Sequence, residues 1–200
     1  MKKIITLSLS LLTLAFTAIA GGEDEGVLKV DQKKSSITWI GEKVTGSHTG
    51  NLTIASGELN TAKGLISNAT IVMDMASITC TDLEDPEYNG KLVGHLKSAD
   101  FFNVAEYKTA VFKLDKFYPQ KGKDGNYMVE GTLTIKGITH PISFPADVQI
   151  NGDEVTATAN LSFDRSKYDI RYGSGSFFEG LGDNLIYDEV KVSFALSASK

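Results

Sequence analysis

Histidine, cysteine, arginine and clustered carboxylates are where a chain like this could do chemistry, and they are sparse. The 200-residue sequence holds three histidines, His48, His95 and His140, and one cysteine, Cys80. The histidines lie too far apart for a short zinc motif, although strands can bring two distant residues together. The acidic run Asp82, Glu84, Asp85 and Glu87 lacks the Asp-x-Asp-x-Asp-Gly order of a calcium loop and reads as a solvated loop. No nucleophile elbow, phosphate-cradling glycine loop, paired-cysteine zinc site or HExxH helix occurs. No catalytic residue, metal or cofactor is therefore expected. Cys80 has no partner for an intrachain disulfide and reads as a small buried hydrophobe, so the fold must be held by its own core.

Two polar side chains deserve more weight because of their parity. His48 shares a strand face with Val44, Leu52 and Ile54 and lies between Gly46 and Gly50. An imidazole facing an apolar interior needs a hydrogen-bond partner. Either the protein supplies one, or the small neighbours open space in which His48 meets the polar head of a ligand. Arg165 continues the inward parity of Leu161 and Phe163. A guanidinium there meets a phosphate or quinone carbonyl, or pairs with a carboxylate at the strand end. Phe101-Phe102 and Phe177-Phe178 fall outside the strand pattern and either plug a barrel end or line its opening. His95 falls with Leu92 and Leu96 in a short helix that packs at that opening.

The elements that must position these residues are strands. From Ile37 onward, apolar and polar residues alternate with period two, segment after segment. Eight such faces can be followed, among them Ile37/Trp39, Ala110/Phe112/Leu114, Ile142/Phe144/Ala146, Val155 to Phe163 and Val190 to Leu196. Turns such as Lys123-Asp124-Gly125-Asn126 and Asn151-Gly152-Asp153 supply left-handed positions for hairpins, so sequence neighbours are expected to be antiparallel neighbours in space. The expected fold class is all-β: an extended eight-stranded antiparallel barrel with a short helix and long mouth loops, with a two-sheet sandwich as rival. Asp85 to Phe102 and Tyr172 to Gly182 are the two irregular excursions. Trp39, Val44, His48, Leu52, Ile54, Phe112, Phe144, Leu161, Phe163 and Arg165 are predicted to line one interior cavity, with Phe101, Phe102, Phe177 and Phe178 near its opening.

Twenty basic against 25 acidic residues, with no lysine- or arginine-rich run, argue against nucleic-acid binding. Met1-Lys2-Lys3, the apolar stretch to Ile19 and Ala18-Ile19-Ala20 read as a secretory signal peptide over residues 1–20. Its removal moves the formal charge from −5 to −7 and leaves no stable membrane insertion. Residues 21–29 read as a flexible acidic tail and 30–200 as one domain.

The runs Asp74-Met75-Ala76-Ser77-Ile78, His95-Leu96-Lys97-Ser98-Ala99-Asp100-Phe101-Phe102 and Gly131-Thr132-Leu133-Thr134-Ile135-Lys136-Gly137-Ile138-Thr139 resemble, in order and spacing, the signatures of the bacterial YceI-like family. The resemblance runs from about Val30 to Leu196 and includes His48-Thr49-Gly50 and Asp164-Arg165. It implies a lipocalin-like barrel that binds polyisoprenoid-type lipids inside. The expected function is then a non-enzymatic, periplasmic or secreted carrier of an amphiphilic isoprenoid, of quinone or polyprenyl phosphate type, with a homodimer left open. The alternatives are an enzyme acting on such a lipid through His48 and Arg165, and an interaction module whose barrel is filled.

Overall fold

A computed structural model describes residues 25–121 and 125–200. The expected signal segment 1–20 lies outside the described residues. The strands are β1 (Gly26–Val30), β2 (Ser36–Lys43), β3 (Gly46–Ala62), β4 (Leu65–Asp74), β5 (Thr109–Pro119), β6 (Tyr127–Ile135), β7 (Ile138–Asn151), β8 (Glu154–Asp164) and β9 (Ile186–Ser199), with one α-helix, α1 (Pro86–Lys97). Each strand from β2 to β9 pairs antiparallel with the next, and β9 pairs back with β2 to close the barrel. This is the expected eight-stranded antiparallel barrel.

The ninth strand corrects the reading of residues 21–29 as a tail. Gly26 to Lys29 pair with Glu58 to Thr61 of β3, and Lys29 and Val30 pair with Ser199 and Ala198 of β9. Strand β2 occupies the same gap between β3 and β9 further along, so β1 and β2 together make one interrupted stave. Leu28 and Val30 point into the core. Five residues beside an acidic run are too short for a periodic signal, which is why this strand escaped it.

The two barrel ends are built differently. At one end the turns 62–65 and 151–154 join strands directly, and β5 pairs with β6. Lys63-Gly64 joins β3 to β4 with φ of 55° and 74°, and Lys136-Gly137 makes the same turn at the opposite end with 49° and 72°. Two successive left-handed residues match the right-handed twist of the strands they connect, and glycine takes the second position without a Cβ clash.

The other end carries both irregular excursions. Helix α1 is longer than the expected stretch around Leu92 to Leu96. It starts at Pro86 because the Asp85 carboxylate accepts from the Glu87 and Tyr88 N–H groups. A Glu87–Lys91 pair at i,i+4 supports it. No helix among the described residues is long and apolar enough to cross a membrane.

Candidate functional site

Inward side chains of β2 to β9 enclose one apolar cavity of about 310 Å³ that extends toward the α1 end. The barrel is hollow, so the filled-interior alternative does not describe it. Trp39, Leu52, Ile54, Phe112, Phe144, Leu161 and Phe163 form part of its wall, and Phe101, Phe102, Leu92 and Leu96 line it from the excursion that carries α1. Its polar liners, Glu42, Lys43, His48, Arg165 and Tyr187, all stand where β2, β3, β8 and β9 meet the loop end. The arrangement is an apolar cavity whose bordering polar side chains all stand at one end.

Val44, placed on this wall by parity, and Phe177 and Phe178, expected near its opening, do not line the cavity. Val44 sits in the β2–β3 turn and is exposed, because the hairpin reverses there and parity does not carry across it. Phe177 and Phe178 are 41% and 50% exposed; Arg171 lies 5.0 Å over the Phe177 ring, and Phe178 lines a shallower polar surface pocket. Past Ile54 a bulge also shifts the β3 register, so the inward series continues with Gly57 and Leu59.

Trp39 pairs across the sheet with Gly50, and its indole fills the space that this glycine leaves. A Cβ on Gly50 would stand 2.6 Å from the ring and 1.8 Å from the Thr79 carbonyl oxygen. The glycine therefore makes room for Trp39 rather than for a ligand. The Trp39 Nε1–H is buried and has no hydrogen-bond partner among the described residues.

Arg165 is not free to meet a head group. It is 2% exposed and donates from Nε to the Tyr187 carbonyl, from Nη1 to the Ile170 and Tyr172 carbonyls, and from Nη2 to the Ile186 carbonyl. Nη2 also lies 3.2 Å from Asp188 Oδ1, an ion pair without hydrogen-bond geometry. Burial pushes the Arg165 pKa down, and Asp188 and then Asp164 oppose this. The other Asp188 oxygen accepts from the hydroxyls of the buried Ser174 and of Ser176. Arg165 thus ties 165–176 to the start of β9, which is the structural alternative weighed for it. Ile170 and Tyr172 lie in an excursion without periodicity, and the contacts to Ile186 and Tyr187 of β9 are made through backbone carbonyls, so side-chain spacing did not announce them.

His48 does find a partner within the protein. Its Nδ1 lies 2.9 Å from Asp82 Oδ2, and its ring is part-exposed on the cavity wall. Asp82 is exposed, as expected of a solvated loop, but its carboxylate is also bonded within the protein. Its Oδ1 accepts from the Thr49 N–H at 2.8 Å and from the Cys80 thiol at 3.2 Å. Burial pushes the Asp82 carboxyl up, but the Thr49, His48 and Cys80 donors outweigh it and hold the pKa at about 2. Burial raises the pKa of the Cys80 thiol, and its hydrogen bond to Asp82 adds to that rise. The expected closeness of His95 to the mouth is observed: its ring makes edge contacts with Phe101 and Tyr172.

A closed antiparallel barrel around an apolar cavity open toward polar loops defines a class of small ligand-enclosing barrels. Within that class, a family model described as "YceI-like domain" matches residues 28–198, and the chain belongs to this family. Protein YceI of Escherichia coli O157:H7 is 38% identical over 61 residues, 30% of each chain. Protein YceI of Shigella sonnei matches to the same extent. The match spans about a third of the length of these curated relatives. Among solved structures, Burkholderia cenocepacia BcnA superposes with a TM-score of 0.65 at 26% identity, covering 85% of this chain and 99% of that one. A polyisoprenoid binding domain from Saccharophagus degradans, implicated in plant cell wall breakdown, gives a TM-score of 0.63 at 20% identity, covering 86% and 97%.

Proposed function

We propose that this chain is an exported carrier that holds an amphiphilic isoprenoid, of quinone or polyprenyl phosphate type, in its barrel. The observation that carries the reading is the cavity, apolar along its shaft and polar only at the loop end. Each methylene moved from water into such a shaft contributes about 0.8 kcal/mol, so a prenyl tail gains affinity without elaborate recognition. The named neighbour from Saccharophagus degradans supports the same ligand class. Export follows from the basic start, apolar stretch and Ala18-Ile19-Ala20, and N-terminal sequencing of secreted protein is expected to begin at or near Gly21.

Trp39 is the chain's single tryptophan and stands on the cavity wall, so it reports on occupancy. A short-chain prenyl quinone titrated into delipidated protein is expected to quench its fluorescence saturably at one equivalent. Ala157→Phe, which fills part of the shaft, is expected to weaken that quenching while strand circular dichroism is retained. Quenching that is linear, unsaturable and equal in the two proteins would count against a ligand in the barrel.

The enzyme alternative needed His48 beside a usable Arg165. His48 does have an orienting carboxylate in Asp82, but the Arg165 donors are engaged.

A further inference from the structure

The segment after β4 does not leave the barrel freely. The Thr79 N–H donates to the Asn51 carbonyl at 3.0 Å and the Thr81 N–H to the Thr49 carbonyl at 2.9 Å, so 79–81 is laid along the outer course of β3. The Asn89 side-chain amide, from α1, donates to the Cys80 and Leu83 carbonyls and fixes the same segment from the other side. The result is a convergence of three different donor atoms, two from 80–82 and one from β3. A ring nitrogen of His48, the Cys80 sulfur and an Asp82 carboxylate oxygen all lie within 4.8 Å of one another. Cys80 is buried, while His48 and Asp82 are part-exposed, and the His48 ring also borders the cavity.

We propose that His48, Cys80 and Asp82 form a three-ligand site for a divalent transition metal of the zinc class. Imidazole nitrogen, thiolate sulfur and carboxylate oxygen are together the donor set such ions select, whereas magnesium and calcium require oxygens alone. Donor atoms bound at about 2.0–2.3 Å in a tetrahedron stand roughly 3.3–3.8 Å apart, so the trio needs side-chain adjustments of about 1 Å or less. In the metal-free form the three groups satisfy one another: Asp82 accepts from both His48 and Cys80. An entering ion takes over both contacts. The Cys80 thiol proton passes to solvent, the imidazole proton moves to the nitrogen facing away from the ion, and no electron is transferred. Three protein ligands leave the fourth position to water or to an oxygen of a molecule at the mouth. This site does not depend on the lipid reading, and it is tested in protein stripped of lipid.

The test uses the full chain without an affinity tag, treated with chelator, desalted and titrated with cobalt(II) as a spectroscopic stand-in for zinc. One equivalent is expected to produce a near-ultraviolet thiolate-to-cobalt charge-transfer band together with intense visible bands of tetrahedral geometry. Zinc added afterwards is expected to bleach both. Cys80→Ser is expected to abolish the charge-transfer band, and His48→Gln and Asp82→Asn each to lower zinc affinity by at least about tenfold. Both variants retain a hydrogen-bonding side chain at each position, and unfolding followed by circular dichroism verifies that they are folded. No charge-transfer band in the wild-type chain, or zinc binding equally tight in all three variants, would overturn the site.

Discussion

The two ends of the barrel solve the same closure problem by opposite means. At the hairpin end, short local turns join strands, and Leu28, Leu59, Val148, Val155 and Ala198 fill the interior. At the loop end, two long excursions cross the opening and are tied down by polar contacts between residues far apart in sequence. Arg165 reaches Ile186 and Tyr187, Asp82 reaches His48 and Thr49, and Ser174 reaches Asp188. The hairpin end is therefore held chiefly by apolar burial, whereas the loop end adds directional bonds to a buried apolar cluster of its own around Met75, Phe101, Val104, Tyr168 and Ile170.

Arg165→Met breaks this contrast most directly. It leaves four backbone carbonyls without their donor and Asp188 without its ion-pair partner, and removal of one partner from such a buried network costs about 3–5 kcal/mol. Protease cleavage is expected to concentrate in 169–185 while the strand signal persists. Cleavage spread evenly over the chain would contradict the division between the ends.

Leu28→Ala tests the other end. A buried leucine lost from the core costs about 2–3 kcal/mol here, in the lower half of the usual range because β1 is a short segment of an interrupted stave. Denaturant unfolding should show one cooperative transition at lower midpoint, with the loops gaining no extra protease sensitivity. A loss below about 0.5 kcal/mol would mean that β1 is not part of the core.

Leu52→Trp sharpens the assignment of the cavity. Leu52 is a wall residue between the two ends, and the larger ring overfills the shaft at a cost of about 1–3 kcal/mol. Co-purified lipid should fall severalfold in protein shown to be folded. Undiminished lipid would place the ligand elsewhere.

The smallest effect is a surface one at the hairpin end. Hydrogen bonds from Tyr118 and then Lys116 hold the Glu130 carboxyl below its ordinary value near 4.5. A depressed carboxylate stabilises the fold above its unfolded pKa and loses that contribution as pH falls through the folded value. Glu130→Gln should therefore lower the melting temperature slightly at pH 7 and leave it unchanged near pH 2. The reverse ordering would show that the triad is not stabilising.

How much of this was legible in the sequence follows the same division. Period-two parity found the eight closing strands and placed Trp39, Leu52, Ile54, Phe112, Phe144, Leu161 and Phe163 on inward faces, because burial on one side of a sheet imposes that period. It failed at Val44, where a turn intervenes, and at β1, which is too short to display a period. It had no purchase on the loop end. The partners of His48 and Arg165 are Asp82 in an irregular segment and accepting carbonyls whose positions are set by backbone path, not side-chain type. Such contacts leave no mark in residue spacing.

The central claim is that the shaft exists to hold an isoprenoid. Mass spectrometry of lipid extracted from protein purified from its native cells, without detergent, tests it most directly. The account predicts one defined isoprenoid species at near-stoichiometric yield, depleted in Leu52→Trp. A preparation that carries no isoprenoid, or only a mixture of membrane lipids in their bulk proportions, would contradict it.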